Sequence, residues 1–371
     1  MEQKFDTIVV ITPKDFLRLR SNYTRLIKWL PHGMIIFIGN EEVGRLVKEL
    51  AGELLPDIDN TVNDGSGKEA STTVVYGSRL GFINENDVLP FVDVHRVVAA
   101  KMEPLLKGRE LPRGITGWYY QQFLKMEYSR ICTQKSDPLH NEENNPPRDK
   151  ECVEEYKIED INNEGCKTAY YMSWDGDTVP CKEVVMFNDE GKPYLDLKHE
   201  YNELYFTTMG KLIPGLGKFI EPSFISEHML FRCDIMKRLI DKIEANDTIP
   251  GSRFYEKIIN CIPLKDIQGN GFSEFETYGS FVCLTSPQAY KLREWHSFRL
   301  AGEFFDPETI SDDDYEWLSH DFDAVSFEKG MTVREDHRNL FDNKEYQSKL
   351  SAGKMLKIAQ EEFKDGYIEK L

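Results

Sequence analysis

Two short apolar runs, DTIVVIT at residues 6–12 and MIIFIG at 34–39, each lead into a stretch of helical periodicity. The first reads as a buried strand, after which Pro13 opens a helical pattern reaching about Trp29. Phe16, Leu19, Tyr23, Leu26 and Leu30 fall on one face of it, and Lys14, Arg18, Ser21, Arg25 and Lys28 on the other. That basic stripe reads as a solvated helix face. The second run is followed by a helix at about 41–54. Two successive strand–helix units predict a parallel sheet with helices packed on it, an α/β fold.

Further along, the polar stretch 56–72 reads as a loop, with weak strands at 73–76 and 80–83 and helices at 87–106 and 114–132. Residues 133–168 are polar and charged, with breakers from Asn141 to Pro147, and read as a surface insertion. AYYMSW then predicts a strand that stops at Asp175-Gly176-Asp177. Beyond it, 184–197 alternates around Asn188 to Gly191 as a hairpin would. Helices are expected at about 226–245, 251–260 and 273–282, an acidic stretch at 303–323, and helical character at 343–369. This gives three parts: an α/β half over 1–183, a second half of the same domain over 184–300, and an acidic, helical extension over 301–371.

Composition narrows the class. The chain has 371 residues, 40% hydrophobic and 12% aromatic, enough for a substantial core. Its formal net charge of −18 argues against a general nucleic-acid binder, which carries a basic footprint. No basic segment followed by an apolar run opens the chain, and no stretch approaches the ~20 apolar residues of a membrane span. Seven cysteines without a CxxC spacing suggest reduced thiols rather than a zinc site. A cytoplasmic protein is expected, with peripheral membrane contact left open.

The Asp-Gly-Asp tripeptide is the first candidate for chemistry. In open α/β sheets ligands bind outside the carboxyl ends of the strands, where Asp175 and Asp177 would stand. With only Gly176 between them, both carboxylates can turn toward one Mg²⁺ or Mn²⁺. The competing reading is a solvated Asp-Gly turn. In the helix at 114–132, Trp118, Gln121, Gln122 and Lys125 share one face, while Tyr119, Phe123 and Met126 supply an apolar one. Lys125 could meet a phosphate, and the amides sugar hydroxyls; an ordinary amphipathic helix is the alternative. Thr12, Lys14 and Asp15 sit where strand one meets a helix N-terminus, a place that holds phosphates.

Two later clusters add carboxylates. Ser273-x-x-Glu276 matches a capping box, which accounts for Glu276 and leaves Glu274 free to act as a general base. Tyr278 could stack on a sugar ring. SFISEHMLF offers Glu227 and His228, the histidine a third metal ligand, an acid/base group or simply packed. No nucleophile elbow, HExxH, P-loop or GxGxxG fingerprint occurs, which weakens hydrolase, zinc-protease, ATPase and dehydrogenase readings.

Taken in order, WYYQQFLKM, YYMSWDGDTVP, FISEHMLF and GFSEFETYG resemble an uncharacterised bacterial glycosyltransferase-like family and the GT-A plan, over about residues 5–300. The resemblance implies a GT-A-like, Rossmann-related mixed sheet flanked by helices, with an elaborated C-terminal half. It implies a nucleotide-sugar donor, such as a UDP-sugar, and Mn²⁺ or Mg²⁺ at Asp175 and Asp177. A later carboxylate, matched loosely by Glu274 or Glu276, would be the base, and His228, His296 or His320 a third metal ligand. The acceptor would be a hydroxyl of a glycan or lipid-linked glycan. The rivals are a nucleotidyltransferase using a similar carboxylate pair, and a non-catalytic glycan-binding protein on the same fold.

Overall fold

A computed structural model describes residues 5–31, 33–54, 73–76, 79–132, 169–268, 270–328, 341 and 343–363. The expected insertion at 133–168 lies outside these residues, as does most of the expected loop at 56–72. The central sheet has six strands: β1 (Asp6–Val10), β2 (Ile35–Gly39), β3 (Thr73–Tyr76), β4 (Leu80–Asn84), β5 (Tyr170–Trp174) and β8 (His228–Arg232). Their spatial order is β3-β4-β2-β1-β5-β8. The inner four run parallel, and β3 and β8 close the two edges antiparallel.

The apolar runs of β1 and β2 follow from this position. A parallel strand covered on both faces needs apolar residues at every step. Ile36 and Ile38 enter the core on one face, and Ile35 and Phe37 the core on the other. Helices α1 (Pro13–Leu19), α2 (Tyr23–Trp29) and α3 (Glu41–Leu54) pack on the Ile35/Phe37 side. Helices α4 (Glu85–Val88), α5 (Phe91–Leu106), α6 (Arg113–Ile131), α7 (Glu203–Leu212), α8 (Cys233–Glu244), α9 (Phe254–Cys261) and α10 (Glu274–Thr285) pack on the Ile36/Ile38 side. The mixed sheet flanked by helices is thus present.

Several local expectations need correction. The helix expected over 13–29 is broken by a 3-10 turn at Arg20–Asn22. Its basic stripe is solvated only in part: Lys14, Ser21 and Lys28 are exposed, whereas Arg25 is buried, donating to the carbonyls of Pro180 and Cys181 and stacking on Tyr315. The stretch 228–232, expected as helix, is β8, and α8 begins only at Cys233. Met229 and Phe231 join one core and Leu230 the other, a period of two that a three-residue apolar run inside a five-residue strand is too short to reveal. Residues 188–191 turn as expected, with Gly191 at φ 75° and Phe187 bridged antiparallel to Pro193, but the strand that follows, β7 (Tyr194–Leu197), pairs in parallel with β9 (Lys291–Glu294) instead of extending a hairpin.

Residues beyond 300 share a core with the first half. Phe304, Tyr315, Trp317 and Met355 belong to the same buried cluster as Phe16 and Tyr23. A second small sheet joins β6 (Thr178–Pro180), β10 (Ser297–Phe298) and β11 (Ala324–Ser326), bringing the late chain beside the Asp-Gly-Asp turn. Among the described residues no helix is long and apolar enough to cross a membrane.

Candidate functional site

β1 is followed by α1, which leads to β2 on one side, while β5 lies on the other side of β1. The carboxyl ends of β1 and β5 therefore flank a topological switch point, the crevice where open α/β sheets bind ligands. Thr12 leaves β1 there and caps α1, its side chain accepting the Asp15 N–H at 3.3 Å while its hydroxyl donates to Asp15 Oδ2 at 2.7 Å. Asp175, Gly176 and Asp177 leave β5 in a tight turn closed by Thr178 N–H to the Asp175 carbonyl at 3.0 Å. The Asp-Gly turn is thus present, and it stands at the switch point. Its backbone is pinned by the Glu227 carbonyl, which accepts the Asp175 N–H at 2.9 Å, and by the Phe327 N–H, which donates to the Asp177 carbonyl at 2.8 Å. Gly176 packs against β1 so closely that a Cβ would stand 3.0 Å from Ile11 Cδ1 and 3.2 Å from the Val10 carbonyl oxygen.

A cleft of about 560 Å³ opens over this point. Thr12, Asp15, Trp118, Gln121, Asp175 and Asp177 all line it, so three clusters distant in sequence meet there. Lys125 stands behind it, 4% exposed, with Nζ 2.6 Å from Asp175 Oδ1 and 2.7 Å from Glu274 Oε1. Burial alone would depress the Lys125 ammonium, but Asp175 and Glu274 outweigh it and hold its pKa above the ordinary lysine value. Glu274 is therefore a buried counter-ion and not the free base expected. Gln122 is buried beside it, its Oε1 accepting the Glu274 N–H at 3.2 Å.

The remaining expected residues are engaged elsewhere. Lys14 is exposed and does not line the cleft. Glu276 Oε2 accepts from Ser223 Oγ at 2.7 Å and the Phe224 N–H at 2.9 Å; it holds a loop and does not close a capping box. Tyr278 is fully buried, its hydroxyl 2.7 Å from that of Tyr290 and accepting the Arg232 N–H, so no sugar can stack on it. His228 is also fully buried. Its Nδ1 is 2.8 Å from the Ser226 carbonyl and its Nε2 2.8 Å from Asp196 Oδ2, which leaves no ring nitrogen for a metal. Asp196 in turn takes a two-pronged bond from Arg293, and the hydrogen bonds from His228 and Arg293 keep its carboxyl low despite burial. His320 is exposed, and His296 borders a separate, smaller cavity.

Several residues of the cleft had no role assigned there by sequence, among them Arg18, Arg299 and Glu328, and Glu227 was named only beside His228. Arg18 Nη1 donates to the Phe327 carbonyl at 2.7 Å, and its buried Nη2, without a hydrogen-bond acceptor, makes a longer ion pair with Asp15 Oδ1 at 3.6 Å. Arg299 bridges Glu200 at 2.7 Å and Glu328 at 2.8 Å, with Glu227 3.5 Å away. Glu227 is 4% exposed and sits at φ 62°, a left-handed conformation that a non-glycine residue adopts at a cost. Its Oε2 accepts from Ser297 Oγ at 2.6 Å, whereas its buried Oε1 has no hydrogen-bond donor. Burial raises its pKa against the pull of Lys198 and Arg299.

Asp177 differs from every other carboxylate here. Among the described residues no other residue gives its side chain a hydrogen bond or an ion pair; only its own backbone N–H turns toward it. Burial first, then Asp175 and Glu328, push its pKa up to about 7, opposed by Arg18. Such a group asks for a cation. No set of three or more His, Cys, Asp and Glu arranged for a metal occurs among the described residues. Asp175 and Asp177 nonetheless offer hard oxygen ligands, one oxygen of Asp175 being held by Lys125. Two carboxylates suit a Mg²⁺-like ion that takes its remaining ligands from water and substrate phosphates.

No known family model matches the chain, and no curated protein matches it in sequence. Among solved structures, mouse xyloside xylosyltransferase 1 in its apo form is similar to it at a TM-score of 0.37 and 10% identity, over 89% of this chain and all of that one.

Proposed function

We propose that the cleft binds a nucleotide-sugar, UDP-linked in our reading, and transfers its glycosyl group to a hydroxyl of a glycan or lipid-linked glycan. The observation that carries this is Asp177: an unpaired, half-buried carboxylate beside Asp175 at the switch point of a parallel sheet. The cleft's size suits a ligand of this class. Its lining holds more carboxylates than cations, so a bare diphosphate would be repelled and a divalent ion is needed to admit it.

Asp175 and Asp177 would hold Mn²⁺ or Mg²⁺, which when bound offsets the charge growing on a departing diphosphate. Lys125 fixes the orientation of Asp175. Arg18, partly exposed in the cleft wall, supplies positive charge to a phosphate, and Trp118 and Gln121 form a wall for the nucleoside or sugar. Glu227 takes the proton from the acceptor hydroxyl as that oxygen bonds to the anomeric carbon and the bond to diphosphate breaks. Glu274 and Glu276, both engaged in buried contacts, are left with structural roles.

A panel of nucleotide-sugars with Mn²⁺, read for binding and for nucleoside diphosphate release, tests this reading. Failure to bind any of them, with or without metal, overturns it. Pyrophosphate release from a nucleoside triphosphate would favour a nucleotidyltransferase instead, and glycan binding without nucleotide binding a non-catalytic protein. Binding unchanged in Asp175→Ala/Asp177→Ala would remove the metal from it.

A further inference from the structure

Cys132 caps the C-terminus of α6 and Cys233 opens α8, and their Sγ atoms lie 2.9 Å apart. The two are 101 residues apart in sequence, so the fold itself brings them together. Arg130, just before Cys132, is paired with Asp241 at 3.2 Å and Glu244 at 2.8 Å on α8, which fixes the two helix ends against each other. The Cys233 N–H donates to the Ala169 carbonyl at 3.0 Å, anchoring it at the entry to β5. A disulfide has an S–S length of about 2.03–2.05 Å, so these sulfurs need move together by less than about 1 Å to bond.

We propose that Cys132 and Cys233 are a reversible dithiol–disulfide pair, oxidised by exchange with a small-molecule disulfide. The step is independent of the transfer reaction above. Cys132, half-buried, is the sulfur a reagent meets first, while Cys233 is 2% exposed. The Cys132 thiolate attacks one sulfur of the incoming disulfide and expels a thiolate. The sulfur of Cys233 then attacks Cys132 in the mixed disulfide and expels the second. Two electrons leave the protein, and the two thiol protons end on the two released thiols. Contact with Cys132 and burial push the Cys233 thiol up, consistent with its acting second. The bond would tie down the end of the helix that carries Trp118, Gln121 and Lys125.

The test is to equilibrate the native full-length chain with glutathione buffers of rising oxidised fraction, trap free thiols by alkylation, and map peptides by mass. One cross-linked pair joining Cys132 to Cys233 is expected, with a mass loss of about 2 Da, reversal by dithiothreitol, and a melting temperature raised by roughly a few degrees. Cys132→Ser and Cys233→Ser should each abolish it. A persistent glutathione adduct, a bond from either cysteine to another partner, or no bond at any ratio while the chain stays folded would overturn the proposal. The wild-type map decides even if a variant misfolds.

Discussion

Lys125 and Asp175 lie 2.6 Å apart, nitrogen to oxygen, and the same ammonium is 2.7 Å from Glu274. One buried cation therefore restrains the first carboxylate of the turn from behind. Removing it strands Glu274 in the core without a counter-ion. Lys125→Met should cost about 3–5 kcal/mol, the penalty of breaking a buried pair from one side. Adding Glu274→Gln should recover about 1–3 kcal/mol of that, because the stranded charge is gone. Urea denaturation of the wild type, both singles and the double reads the coupling. An additive pair would mean that the two groups do not interact in solution.

Asp177 should make the metal-free protein sensitive to pH in an unusual direction. Its carboxyl titrates near 4 when unfolded and at about 7 when folded. Between those values the folded chain binds the extra proton, so stability falls as pH rises from about 4 to about 7 and is level beyond. Asp177→Asn removes the effect. In chelator the variant should melt above wild type at pH 8, by roughly 1–2 kcal/mol after allowing for solvent screening, and show no advantage at pH 4. A bound cation must displace the same proton. Mn²⁺ affinity should therefore drop about tenfold per unit below pH 7. Calorimetry that finds a flat affinity from pH 6 to 8 would remove Asp177 from the ligand set.

The sheet was legible because β1, β2 and β5 are apolar runs with a clear function in packing, and the switch point followed from the order of strands and helices. Asp175, Asp177, Trp118 and Gln121 could be found because turn residues and a mixed helix face mark themselves locally. Arg18 looked like one member of a solvated stripe; only the carbonyl of Phe327, far along the chain, draws it into the cleft. Arg299 and Glu328 come from late segments whose strands are two or three residues long, too short to carry a period. Glu274 and Tyr278 misled for the opposite reason. Their sequence neighbourhood fits a binding cluster, but helix α10 turns them into the core, where Lys125 and Tyr290 take up their polar atoms.

Arg18 should separate phosphate recognition from nucleoside recognition. Its Nη1 ties α1 to the Phe327 carbonyl, and its Nη2 faces Asp15 in a longer ion pair at 3.6 Å. In the proposed complex the partly exposed guanidinium turns from Asp15 to a phosphate oxygen. Arg18→Lys keeps the charge and loses the fork that makes both bonds together. Affinity for a nucleoside diphosphate should fall about tenfold in Arg18→Lys, one charge-assisted bond's worth, with nucleoside affinity unchanged. Titration of both ligands against wild type and variant checks this. Equal losses for both would make Arg18 a structural tie alone.

Glu227 offers the sharpest test of where acceptor chemistry happens. Gln at this position keeps an oxygen for the Ser297 hydroxyl but cannot take a proton. Glu227→Gln should lower kcat by about 10²–10⁴-fold while donor affinity stays within about threefold. The wild-type rate should rise with pH along a limb displaced above the usual glutamate range, because burial raises this carboxyl and only its ionised form is a base. That limb should vanish in Glu227→Gln. Glu227→Gly supplies the control for folding: φ 62° is free of penalty for glycine, so this variant should fold at least as readily and still be inactive. Full activity in either variant, once a donor and acceptor are in hand, would return the search for a base to the other carboxylates of the cleft.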